Sequence, residues 1–322
     1  MKLLHNSRSR FPVVLIAIGL AAGVTGGTFA AFSATTANGG NSFGVKADYE
    51  APAVVRSEIA RTTATVGGKI KASVAYYVYA QVTDGGNPAS GVSTATADVC
   101  AITTPSCAAV ALASGSYTVS GLSYNYRSAS TTSAAGLTAG AKTYTVTAVD
   151  VATNSSGAVT FGVVGDNTAP AGIDIQTANT SGGTVGKAEA GDTVIRTFTE
   201  AMDPGSILAA WDGSATSVTV TLANNACSPD DQISVNGVNL GAPCLGGQSY
   251  VSGTRTFAGS SMAMNAAGTV VTVTLGTPSG TTGTQGSNTT VTWAPSASAL
   301  DVAGNACSTA VVTESGAADR EF

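Results

Sequence analysis

Tyr144-Thr-Val-Thr-Ala-Val-Asp-Val-Ala-Thr-Asn154 reads as a β-strand running into a tight reversal. Tyr144, Val146 and Ala148 alternate with polar residues at a period of two, the mark of a half-buried antiparallel strand. Asp150 and Asn154 then supply the side-chain-to-backbone geometry that reverses a chain. The closing motif recurs as Asp301-Val-Ala-Gly-Asn305. An opening motif is repeated as well: Asp48-Tyr-Glu-Ala-Pro52 returns as Asp166-Asn-Thr-Ala-Pro170, displaced by 118 residues. Its proline forces extended backbone before it and cannot sit inside a central strand, so each copy starts a unit. Thr65-Val-Gly-Gly-Lys69 is echoed by Thr184-Val-Gly-Lys187. Two domains built on one plan follow, over 48–165 and 166–322.

Between the markers the same period of two recurs. Val78, Ala80 and Val82 share a face in the first domain. Val194 and Phe198, then Val218, Val220 and Leu222, then Val271, Val273 and Leu275 do so in the second. Turn clusters at Asp84-Gly-Gly-Asn-Pro88, Ala113-Ser-Gly115 and Asn265-Ala-Ala-Gly268 separate the runs. No amphipathic helix of ordinary length competes, although Ser206 to Trp211 suits a short turn. The expected class is all-β, with each half long enough for its own core. The second domain is the longer, with extra material around 224–264, and an individual activity is expected there if the protein has one.

The N-terminus carries Lys2, Arg8 and Arg10, then an apolar run from Phe11 to Phe32. A basic start, an apolar middle and small residues at the end describe an export signal over 1–30, with cleavage between Ala30 and Ala31. The run is also long enough to span a bilayer, so an uncleaved anchor is the alternative. Pro12, the glycines at 19, 23, 26 and 27, and the lack of a basic or aromatic stop after Phe32 favour cleavage. The polar segment 31–47 is read as flexible. It serves either as a linker or as a strand added to a neighbour's open sheet edge, giving self-association.

Composition excludes more than it includes. His5 is the only histidine and lies in the leader, which removes Ser-His-Asp and Cys-His catalysis and His-ligated zinc from the mature chain. Cleavage removes three basic residues and no acid, leaving 11 basic against 19 acidic residues. Nucleic acid is therefore not an expected partner. Cys100 and Cys107 flank a short loop and are expected to bridge. Cys227 to Cys244 is the preferred second bridge, leaving Cys307 odd, with Cys227 to Cys307 as the alternative. Asp150, Asn154 and Asp166 meet near the domain boundary and could hold calcium there, against a plain turn-capping role. Eight tyrosines crowd the first domain. Tyr77 with Tyr79 and Tyr124 with Tyr126 could stack on a sugar, or else form core. Glu200, Asp203, Asp230 and Asp231 are the acids that a carboxylate-only glycoside hydrolase would draw on.

Two resemblances sit on these residues. Gly26-Gly-Thr-Phe-Ala-Ala-Phe-Ser33, with Asn38, Asn41, Ser42 and Phe43, is similar to the leader and early mature segment of SipW-dependent secreted proteins, the TasA and camelysin group. Ala34 stands where that group usually carries Asp. The repeated openings, Asp150 to Asn154 after its strand, and Phe198-Thr-Glu-Ala-Met-Asp-Pro204 resemble bacterial immunoglobulin-like domains of surface and adhesin proteins. Together these imply two tandem immunoglobulin-like β-sandwich domains after a cleavable signal, in a secreted or cell-surface structural or adhesive protein of a matrix, surface layer or fibre. Its partners would be other surface or matrix proteins. It would have no catalysis and no cofactor beyond calcium; glycan binding is the alternative and glycoside hydrolysis the weaker one.

Overall fold

The computed structural model describes residues 46, 48–103 and 109–322. The leader, its cleavage position at Ala30 and Ala31, most of the 31–47 segment and Cys107 lie outside the described residues. Lys46–Phe322 is one compact unit.

The chain is nearly all β, and its sheets curl into sandwich- or barrel-like forms. Its first part supplies β1 (Ala53–Arg61), β2 (Lys69–Ile70), β3 (Ala75–Thr83), β4 (Val92–Asp98), β5 (Val110–Val119), β6 (Leu122–Ser128), β7 (Thr131–Thr132), β8 (Gly140–Asp150) and β9 (Val159–Gly165). They form a sheet in the order β1-β3-β6-β5-β4-β8-β9-β2, with β7 added beside β3. All pairings are antiparallel except β2 with β9. Because β1 also packs beside β8, β9 and β2, the sheet closes back on itself.

The second part supplies β10 (Gly172–Ala178), β11 (Thr193–Phe198), a one-turn helix α1 (Pro204–Ile207), β12 (Thr216–Cys227), β13 (Asp230–Val235), β14 (Arg255–Met264), β15 (Val270–Thr274) and β16 (Thr277–Pro278). The sheet order is β10-β11-β15-β14-β12-β13, with β16 beside β14; β17 (Thr292–Trp293) and β18 (Val312–Thr313) pair separately. Part of the 224–264 stretch is sheet, since β13 and β14 flank β12, and a loop over 236–254 joins them.

The cores follow the alternation. Tyr76, Val78, Ala80 and Val82 of β3 and Tyr144, Val146 and Ala148 of β8 are buried in one cluster drawn entirely from residues 54–163. Val194, Phe198, Val220, Leu222, Val271, Val273 and Leu275 join a second, drawn entirely from 175–322. Among the described residues no buried cluster mixes the two sets. Ala113-Ser-Gly115, expected to be a turn, lies inside β5, where the register shifts between Ser114 and Tyr117. Small residues there relieve crowding at a bulge. Arg196 occupies an inward position on β11, 1% exposed, with its guanidinium 6.0 Å from the Trp293 ring centroid. Burial pushes its pKa down to about 10.

Cys227 and Cys244 form a disulfide that ties the end of β12 to the loop after β13. Cys307 is a free, buried thiol whose pKa burial pushes up to about 11. A thiol that is neutral and shielded is a poor nucleophile. Native protein at pH 8 should leave Cys307 unalkylated by iodoacetamide while denatured protein labels fully; rapid native labelling would contradict this placement.

Glu321 is 1% exposed. Burial, then repulsion from Glu314 and Asp319, pushes its carboxyl up to about 7, against the hydroxyl that Thr177 donates to it. The ordinary value is 4.5. Between these values the folded chain binds more protons than the unfolded one, so stability falls as pH rises through that window, by up to about 1.4 kcal/mol per pH unit. Urea melts across this range should show Glu321→Gln flattening that fall; an unaltered slope would show that another group causes it.

Candidate functional site

Two acid clusters stand out, one in each half. Asp48, Asp84 and Asp150 bring carboxylate oxygens within 4.8 Å of one another, and so do Asp166, Glu200 and Asp301. Each draws on the opening motif, the end of the strand that pairs beside β1 or β10, and the closing motif. The expected set of Asp150, Asn154 and Asp166 is thus divided: Asp150 belongs to the first cluster and Asp166 to the second. The physical reason is that each closing loop folds onto the opening of its own half.

The bonds that do this are duplicated. Asn154 donates its backbone N–H to Asp150 Oδ1 at 2.6 Å and its side-chain amide to Asp150 Oδ2 at 2.7 Å. The same amide reaches the Asp48 carbonyl at 3.1 Å. Asn305 repeats all three, to Asp301 Oδ1 at 2.7 Å, to Asp301 Oδ2 at 2.8 Å and to the Asp166 carbonyl at 3.1 Å. The residue before each Asn is left-handed: Thr153 has φ 70° and Gly304 φ 98°. Glycine is required only at the second, where an added Cβ would lie 2.7 Å from Arg61 Cδ.

The clusters differ in what covers them. In the second, the Lys69 ammonium lies 2.9 Å from Asp166 Oδ2 and 3.5 Å from Glu200 Oε2. Burial opposes charge on Asp166, but the bonds from Lys69 and Thr168 outweigh it and lower its pKa. Glu200 is raised by burial and then by Asp166 and Asp301. Beside them Arg61 pairs with Asp203, whose side chain is 0% exposed. Burial raises the Asp203 pKa against the pull of Arg61 and bonds from Thr65 and Gly205. Backbone bonds Lys71 N–H to Ala303 carbonyl at 3.2 Å and Asp166 N–H to Ile70 carbonyl at 2.9 Å complete the junction.

Among the described residues no such cation from the other half is seated in the first cluster. The oxygens of Asp48 accept the N–H groups of Glu50 and Ser90, which lower its pKa. Asp84 Oδ2 accepts from Gly91 N–H at 2.6 Å, and its Oδ1 is buried with no hydrogen-bond partner. Lys46 reaches Asn154 Oδ1 at 3.4 Å. These bonds make the acids turn and loop anchors first.

Most of the remaining candidate groups are engaged too. Asp203 caps α1 through Gly205 N–H, and Asp231 is buried, accepting N–H bonds from Asn225, Tyr250 and Val251. Asp230 starts β13 opposite Cys227. Tyr77, Tyr117 and Tyr124 pack edge-on or tilted around Tyr79, with Arg127 over Tyr77 and Tyr117 and Arg56 over Tyr124. The Tyr77 and Tyr79 face is therefore a second small core; of the first-half tyrosines Tyr49 is the one largely exposed, at 68%. An open recess of about 640 Å³ at the junction is lined by Val66, Lys69, Met202, Asp212, Met264 and Val302 among others.

No protein-family model, curated protein or solved structure matches this chain.

The duplicated clasp gives an ordered prediction. A lost hydrogen bond that strands a buried acceptor costs about 1–3 kcal/mol. Asp150 and Asp301 are equally buried, but Asn305 is itself buried and Asn154 only half-buried, so Asn305→Ala should fall at the upper end in urea unfolding and Asn154→Ala at the lower end. Equal or reversed costs would contradict the difference in cover.

Proposed function

We propose that the chain is an exported, two-domain, immunoglobulin-like protein acting as a structural or adhesive component of the cell surface or matrix. One observation carries this reading: three of the four acids that an enzymatic role would draw on, Glu200, Asp203 and Asp231, are spent on holding the fold. Glu200 faces Lys69, Asp203 pairs with Arg61 and caps a helix, and Asp231 gathers three backbone N–H groups. A general acid or nucleophile must instead face a reacting bond within hydrogen-bond reach. The duplicated clasp and separate cores support reading each half as one sandwich domain. Joining such domains by buried bonds sets a fixed spacing, which suits a structural part. The leader's composition supports export, and among the described residues no helix is long and apolar enough to cross a membrane.

Glycan binding is the second reading, and Tyr49 is what favours it, as a ring exposed beside an acidic loop. Calcium would belong to the first cluster rather than to the domain boundary, because Asp48, Asp84 and Asp150 lie together there.

Fractionation of producing cells with N-terminal mass spectrometry tests the structural reading. Protein starting at Ala31 in the medium or surface fraction, without glycan retention or glycoside turnover, is the expected result. Glycoside turnover abolished by Glu200→Gln would overturn it, as would an intact Met1 found only inside cells.

A further inference from the structure

The contact that joins the two halves has an unused counterpart at each end of the described chain. We propose that a second copy of this chain docks the Thr184–Lys187 end of its second half onto the Asp48–Asp150 end of the first half. The contact would repeat between chains the junction that exists within one.

The internal junction is the template. There the Thr65–Lys69 loop at the far end of β1 meets the opening and closing motifs of the second half: Lys69 sits on Asp166 and Glu200, and Val66 and Val302 line one recess. The closing loop is covered as a result, with Val302 5% and Ala303 0% exposed. The first half presents the tips of the same motifs bare, although Asp48 and Asp150 behind them are buried. Val151, at the Val302 position, is 66% exposed, and Tyr49 beside it is 68% exposed. At the other end the echo of the Thr65–Lys69 loop is bare at its tip: Val185, at the Val66 position, is 53% exposed, while Gly186 behind it is bonded to Gln285 and Phe322 of the same chain.

Charge fits in the same sense. Lys187 takes the place of Lys69, and Arg320 packs against the same loop, with its Cδ 3.5 Å from a Cβ placed on Gly186. The opposite end carries Asp48, Asp84, Asp150 and Glu50, with Lys46 the one cation bonded there among the described residues. Lys187 now pairs with Glu189 at 2.7 Å, both side chains more than a quarter exposed. Such surface pairs are worth little and exchange readily. The buried Arg61–Asp203 pair has no counterpart, since Asn179 stands 118 residues beyond Arg61. The contact between chains is therefore weaker than the one within a chain.

A head-to-tail contact that does not close on itself generates a filament rather than a ring-shaped or two-fold assembly. It differs from strand addition by residues 31–47, and it deepens the structural reading without resting on where the protein is located.

The test uses the full chain in mild detergent with a short bismaleimide cross-linker, the buried Cys307 serving as the background control in unaltered protein. Val151→Cys and Val185→Cys chains, mixed, should cross-link to each other well above either homodimer, and the double variant should give a ladder. Val151→Lys, at an exposed position, should keep the melting temperature while weakening self-association in sedimentation by about tenfold or more, by replacing apolar burial with like charge. Added salt should weaken association as well. Homodimers equal to the mixed product, or association untouched by Val151→Lys, would overturn the proposal. Association lost only when residues 31–45 are deleted would overturn it in favour of strand addition. A chain confined to the cytoplasm that still forms the ladder would sink the surface role and leave this contact standing.

Discussion

Asp203 and Arg61 form an ion pair withdrawn from water, and the register between the two halves depends on it. Neither charge has solvent to fall back on: the Asp203 side chain is 0% exposed and that of Arg61 8%. Removing one partner from such a pair costs about 3–5 kcal/mol, whereas replacing both with apolar residues is often neutral. The pair therefore does more for the geometry of the junction than for its net stability. Around it Thr65 donates its hydroxyl to Asp203 at 3.1 Å and its backbone N–H at 3.3 Å, so the carboxylate reads a loop of one half and caps a helix of the other.

The paired clasps show how one local device serves two situations. Asp150 with Asn154 and Asp301 with Asn305 are nearly superposable in their bonds, yet one loop ends in a bare apolar tip and the other is roofed by the preceding half. Thr153 and Gly304 record that difference. A left-handed threonine is strained but has room, while Gly304 has Arg61 against it. Lys69 turns three crowded carboxylates into a mixed-charge cluster, which lowers the repulsion that would otherwise oppose the docking.

Much of this architecture was legible in the residues. Period-two runs such as Tyr144 to Ala148 and Val271 to Leu275 mark buried strand faces because the pleat forces alternation, and the repeated motifs mark the two halves. Long-range pairings were not legible. Nothing in the spacing tells that Asn154 reaches Asp48 rather than Asp166, since both lie near in sequence or in plan and only closure of the sheet decides. Arg196 breaks the pattern by taking an apolar position, with the Trp293 ring 6.0 Å from its guanidinium and Nε and Nη1 buried without hydrogen-bond partners. Ala113-Ser-Gly115 looks like a turn because small residues serve bulges and turns alike. The spent acids were likewise hidden, because the partners of Asp203 and Asp231 come from distant strands and loops.

A double-mutant cycle on Arg61 and Asp203, using Arg61→Met and Asp203→Leu, measures most directly whether the two halves are joined as described. A coupling of at least about 2 kcal/mol in urea unfolding, with the double variant keeping only the loss that comes from the Thr65 and Gly205 bonds to Asp203, is the expected result. Additive losses with no coupling would contradict it and would leave the halves as independent modules on one chain.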